Sequence, residues 1–238
     1  LDEGNIYDDS AQGWWLINSL EKLNQSLNNN LYMYSGNYKD VISNLVKKYD
    51  IQAVYWNRSY DPYSINRDKD LKLYLENKNI EVKTFNSTLL WEPWLVAKPD
   101  GTPYRVFSPF YRKGCLKQKE PRFPLPEPKK VSFFKLNDAD DIKKLELLNG
   151  FNWYDKLHEH WEIGEKAAQN KLSSFLNDGI DDYKDGRNFP AKNNVSRLSP
   201  HIRFGEISPN QIWYAARAVR EDRNVDHFCS CLLYTSPS

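Results

Sequence analysis

The chain reads as an α/β protein in which a doubly wound parallel-sheet domain is followed by an all-α region. Three observations predict this. Helical apolar spacings alternate with short β-rich runs at the start, a proline-rich polar stretch interrupts the pattern, and from Ile163 onward only helical spacing remains. Alternation at these lengths favours parallel strands, because a crossover helix is what returns the chain to the same edge of a sheet.

The elements follow in order. Leu16, Ile17, Leu20, Leu23 and Leu27 keep a helical period within 16–31, and Val41, Ile42, Leu45 and Val46 repeat it in a second helix. Ile51-Gln52-Ala53-Val54-Tyr55-Trp56 is a short β-rich apolar run that predicts a buried strand. Leu71, Tyr74 and Leu75 place a helix over 68–77, and the alternation of 80–85 places a second strand. Lys98-Pro99-Asp100-Gly101-Thr102-Pro103 is a turn by its own chemistry. Pro121, Pro124, Pro126 and Pro128 among charges make a linker, and Phe151, Trp153, Tyr154 and Trp161 are aromatic anchors beyond it. The expected division is therefore an α/β domain at 1–116, a linker at 117–162 and a helical domain at 163–238. Helix is expected over 211–225, and 229–238 has no folding rationale in the sequence. No strand precedes the first helix, so both ends are expected to be cut.

Composition bounds the function classes. The chain has 238 residues, room for one large domain or two small ones. No apolar run is long enough to cross a bilayer, and Leu1-Asp2-Glu3-Gly4-Asn5 has no signal-peptide character. Cys115, Cys229 and Cys231 are too few and odd in number for a disulfide framework, which points to a reducing, cytoplasmic setting. The net charge of +1 means that any contact with nucleic acid needs a local basic patch. Aromatic residues make up 14% of the chain, enough to fill a core and leave a minority for stacking on a planar ligand.

The densest chemistry lies in 194–209, Asn194-Val195-Ser196-Arg197-Leu198-Ser199-Pro200-His201-Ile202-Arg203-Phe204-Gly205-Glu206-Ile207-Ser208-Pro209. Hydroxyls and guanidinium groups together suit a phosphate, since short donors and a bidentate cation can share its oxygens. The plainer alternative is a helix start with a Ser cap followed by Pro. By its surroundings in the sequence Arg187 reads as a surface ion pair with Asp181, Asp182 or Asp185. His158-Glu159-His160 is no metal site, because residues at i and i+2 of a helix point apart. Trp14-Trp15 is read as packing, and Arg67-Asp68-Lys69-Asp70 as a solvated helix start.

As a string, 194–209 resembles the flavin-pocket signature of the DNA photolyase and cryptochrome family. Tyr55 to Ser64, Asn86 to Trp94 and Gly101 to Tyr111 resemble the same family's front half, and Gly164-Glu165-Lys166-Ala167-Ala168 the opening of its flavin-binding helices. The similarity spans roughly 6–228. The resemblance implies a fragment in which the all-α region is the start of an FAD-binding domain. It implies that Tyr183, Val195, Ser196, Arg197, Leu198 and Ser199 bind FAD and that Arg187 faces DNA. Many family members have Thr where this chain has Val195, which removes one hydroxyl from the set. The implied activity is that of a deoxyribodipyrimidine photo-lyase, a monomer splitting cyclobutane pyrimidine dimers in UV-damaged DNA by electron transfer from excited reduced FAD. A cryptochrome-type blue-light photoreceptor is the alternative, and a nucleotide-binding α/β module without light chemistry a third. A folate or deazaflavin antenna is also implied, although the Asn-Glu pair expected of folate-binding members near Tyr63-Ser64 is absent. Catalytic relay residues would lie beyond this chain, so the fragment alone is expected to bind FAD poorly and repair nothing.

Overall fold

The computed structural model describes residues 9–148 and 152–235. Phe151, the opening Leu1–Asn5 and the last three residues of the tail lie outside them. The chain forms two compact units: residues 35–123 with 230–235, and residues 9–34 with 124–148 and 152–229.

The first unit is α/β. Helix α2 (Tyr38–Tyr49) starts at Asn37, whose side chain accepts from the Lys39 and Asp40 amides, and stops where Asp50 turns left-handed at φ 49°. Strand β1 (Ala53–Asn57) follows, then α3 (Pro62–Glu76) and strand β2 (Glu81–Phe85). The strands pair in parallel with Ala53 opposite Glu81 and Asn57 opposite Phe85. Sequence and structure agree on the parallel α/β class, and the observed sheet has two strands among the described residues. Helix α3 begins six residues earlier than its apolar spacing suggests. Asp61 accepts from the Ser64 amide at 2.8 Å, and Pro62 pre-sets the first turn. Its Leu71 and Leu75 are buried. After β2 the chain runs through short pieces: a 3-10 turn (Pro93–Leu95), α4 (Phe107–Pro109), a π turn (Phe110–Gly114) and a 3-10 turn (Cys115–Lys117).

The second unit is helical. Helix α1 (Ala11–Ser26) lies five residues upstream of its expected span. Ser10 caps it by accepting from the Gly13 amide at 3.0 Å, and the first turns bury Trp14 and Trp15. A 3-10 stretch (Asn152–Glu159) leads to α5 (Glu165–Ser174), which continues with little interruption through a π turn (Phe175–Gly179) and a 3-10 turn (Ile180–Asp182) into α6 (Tyr183–Gly186). Helices α7 (Ser199–Arg203) and α8 (Pro209–Val219) and the first half of α9 (Arg223–Thr235), up to Cys229, complete it.

Two expectations are corrected here. The helix expected over 211–225 breaks, because Arg220 is extended and Asp222 accepts from the Asn224 and Val225 amides, starting a new helix. Beyond 229 the chain does not dissolve: α9 runs to Thr235. Val225, Phe228, Cys229 and Leu232 recur at i, i+3, i+4 and i+7 and are all buried, an apolar stripe that stabilises the helix.

Candidate functional site

The loop from Arg187 to Leu198 is docked onto the π turn after α5 and onto α6 through two glycines. A Cβ on Gly179 would approach the Asn193 carbonyl oxygen to 2.8 Å, and one on Gly186 would collide with the Asn194 side chain. Asn194 uses that close approach to donate from Nδ2 to the Gly179 carbonyl at 2.9 Å. The loop then turns at Arg197, whose φ of 52° is left-handed, and is pinned by Leu198, which is 1% exposed. Pinning one side chain inward while its neighbours stay outward is what presents Val195, Ser196 and Arg197.

Those three residues form one wall of a cavity of about 590 Å³. Helix α5 supplies a second wall through Asn170, Lys171 and Ser174, and His158 to Glu162 a third. Lys171 Nζ sits 5.3 Å from the centre of the Trp161 ring. Ser196, Arg197 and Lys171 bring a hydroxyl, a guanidinium and an ammonium that can share phosphate oxygens, and Glu159, Glu162 and Asp178 lie on the same lining. Among the described residues no cluster of three or more potential metal ligands occurs, and His158 Nε2 instead accepts from the Trp14 indole at 3.3 Å. A second cavity of about 1070 Å³ lies between α1 and the start of α5. It is lined by Glu21, Glu127, Glu162, Glu165 and Glu206 against Lys22 and Lys166, so it repels an anion. Burial, with Glu127 and Glu206 nearby, raises the Glu165 carboxyl above its ordinary range.

The other residues singled out by sequence fall elsewhere. Ser199 is exposed and is the first residue of α7, whose cap is Leu198 with no side-chain bond. The Ser-cap-then-Pro alternative instead describes Ser208 and Pro209. Ser208 accepts from the Gln211 amide at 3.2 Å, and Gln211 reaches back to the Ser208 amide at 2.8 Å. Tyr183 is buried in an aromatic cluster with Phe175 at 5.7 Å and Phe228 at 5.2 Å, and the Arg187 guanidinium lies 5.7 Å from its ring centre. Of the acids offered as partners for Arg187, Asp181 pairs with Arg220 and Asp182 with Lys192. His227 flanks Tyr183 at 6.2 Å, and burial, reinforced by Arg187, lowers its pKa.

Sequence reasoning missed a buried polar pair inside the same signature. His201 Nδ1 meets Glu206 Oε2 at 2.5 Å, and the Trp15 indole donates to Glu206 Oε1 at 3.2 Å. This knot ties the α7–α8 corner to α1. It also missed Lys171 and the two docking glycines; Gly179 and Gly186 inside a helical run were the available signal.

In the α/β unit, a second group sits at the carboxyl ends of the parallel strands, where open α/β sheets take ligands. Arg58 Nε meets Glu92 Oε1 at 2.7 Å, Tyr60 donates to the same oxygen at 2.7 Å, and Arg58 also donates to the Thr84 carbonyl at 2.6 Å. Burial and the Glu92 bond push the Tyr60 phenol up to about 12. The Trp94 ring, 61% exposed, lies under the Arg58 guanidinium.

Comparison with known proteins adds the following. The family model described as DNA photolyase matches residues 2–129. The deoxyribodipyrimidine photo-lyase of Agrobacterium fabrum is 35% identical over 88% of this chain and 44% of its own length. Cryptochrome-1 of Arabidopsis thaliana is 29% identical over 91% of this chain and 32% of its own. A crystal structure of a bacterial class III photolyase from Agrobacterium tumefaciens superposes with a TM-score of 0.89 at 32% identity, covering 96% of this chain and 48% of that one. The chain thus spans less than half the length of these relatives.

Proposed function

The chain belongs to the DNA photolyase family, cryptochromes included, and on that premise we propose that it is part of a light-driven DNA-repair lyase that splits cyclobutane pyrimidine dimers. The observation that carries this reading is the wall of Val195, Ser196 and Arg197, held outward by buried Leu198 over a cavity with Lys171 on its far side. The donor chemistry fits the pyrophosphate of FAD. When bound, reduced and excited by light, FAD supplies the electron that opens the cyclobutane ring and takes it back, so the reaction has no net redox change.

The protein's part is placement. Ser196, through its hydroxyl, and Arg197, through its guanidinium, would donate hydrogen bonds to the phosphates, while Val195, lacking a hydroxyl, would offer only its backbone. Leu198 and the Asn194–Gly179 bond keep that loop in register with the π turn that follows α5. Tyr183, buried among Phe175 and Phe228, makes a rigid edge for the flavin side, and Arg187 over its ring is the cation that would face a flipped lesion. Trp94, with Arg58 above it, offers a face for a planar antenna, folate or deazaflavin, in the α/β unit.

The test uses a chain extended to the length of its relatives. Ser196→Ala and Arg197→Ala are each expected to lower flavin retained after gel filtration, and the pair to abolish it with the fold intact by circular dichroism. Undiminished flavin in the double variant refutes the assignment of this wall. The 29% identity to a cryptochrome favours one second reading, a photoreceptor that holds flavin and repairs nothing.

A further inference from the structure

Residues 105–122 carry Arg105, Arg112, Lys113, Lys117, Lys119 and Arg122 against a single acid, Glu120. The whole chain has a net charge of +1, so this stretch is strongly cationic while the remainder is net negative. The local fold turns the charge outward. Tyr111, Gly114 and Cys115 are buried, Tyr111 at 2% and Cys115 at 0% exposure, so the turns at 110–117 have one inward stripe. Arg112, Lys113 and Lys117 fall on the other faces and are exposed. A Cβ on Gly114 would approach Val96 Cγ1 to 2.7 Å, so the turn is held tightly against the unit. Downstream, the Lys119 carbonyl accepts from the Trp91 indole at 2.9 Å, which fixes the backbone beneath that exposed lysine. Among the described residues, Arg105, Lys113, Lys117 and Lys119 form no ion pair.

We infer that this surface is a second contact for duplex DNA, one that holds backbone phosphates from the α/β unit and reads neither sequence nor lesion. It rests on the proposal that the protein works on DNA, and it adds a site separate from Arg187 and the flavin wall. Exposed, unpaired lysines on a fixed backbone suit phosphate oxygens, and binding there releases counterions. The surface increases residence on undamaged duplex and leaves the chemistry to the helical unit.

The test measures anisotropy of a labelled, undamaged duplex with the 238-residue chain, between about 50 and 200 mM salt. Lys113→Ala/Lys117→Ala/Lys119→Ala is expected to flatten the slope of log K against log salt by about 0.9 for each phosphate no longer neutralised, hence by up to about 3. The matching triple Lys→Arg variant is expected to keep the slope, and both variants to keep the wild-type melting temperature. An unchanged slope in the Ala variant, or no binding by the wild-type chain, overturns the inference. So does tighter binding to anionic vesicles than to duplex, abolished in the same variant, which would assign the surface to a membrane. Dimer repair by the extended protein reports on the proposed function independently: repair with an unchanged slope refutes this surface alone, and a flattened slope without repair refutes the repair reading alone.

Discussion

Replacing Glu206 tests whether the signature segment is held by its buried pair. Glu206 and His201 are both buried, His201 completely, and Glu206 is the acceptor for both His201 Nδ1 and the Trp15 indole. Glu206→Ala removes both acceptors and leaves two buried N–H donors without partners. Each orphaned donor costs about 1–3 kcal/mol, so losing both partners is expected to cost about 2–6 kcal/mol. That is a large share of the roughly 5–15 kcal/mol that holds a domain folded. Glu206→Gln keeps one acceptor oxygen and sets an amide NH2 opposite the other donor, so it is expected to lose about 1–3 kcal/mol, roughly half as much. Urea unfolding of the 238-residue chain, followed by tryptophan fluorescence, measures both, since Trp15 reports directly on the knot. A Glu206→Ala midpoint within about 0.5 kcal/mol of wild type would refute the claim that this pair ties the α7–α8 corner to α1.

Gly179→Ala is expected to cost about 1–3 kcal/mol by overpacking against Phe175 and the Asn193 carbonyl, and thermal melting measures it. Tyr60, with its phenol near 12 when folded and an ordinary value of about 10 when unfolded, keeps its proton longer in the native state. Its contribution to stability is therefore intact below pH 10 and is lost as pH rises from about 10 to about 12, and Glu92→Gln is expected to shrink that loss in urea midpoints. Cys115 and Cys229 are fully buried, and burial pushes both thiols up to about 12. Alkylation at pH 8 followed by mass spectrometry is expected to leave both unmodified in the native protein and to modify both in urea.

Much of the α/β unit was legible because local and tertiary signals agree there. Leu71 and Leu75 sit one turn apart and are both buried, and 80–85 alternates as half-buried strands do. The start of α1 was misplaced because adjacent Trp14 and Trp15 fit no single helical stripe, while Ser10 and the burial of both rings decide the register. The tail was unreadable as a string of Cys, Ser and Leu, yet Val225 to Leu232 keeps a helical stripe once Asp222 starts the helix afresh. At the candidate site, hydroxyls and arginines were visible as chemistry, but their division was not. Val195 to Arg197 face the cavity, Leu198 is core, and Ser199 begins α7. The His201–Glu206–Trp15 knot was out of reach of any periodicity, since it joins residues 191 positions apart.

The most direct test of the repair reading is dimer splitting by the protein extended to the length of its relatives, on a thymine cyclobutane dimer in single-stranded oligonucleotide, under blue light and in matched darkness. Light-dependent return of intact thymines is the predicted result. A bound, reducible flavin with no repair in either condition would contradict it and leave a photoreceptor in its place.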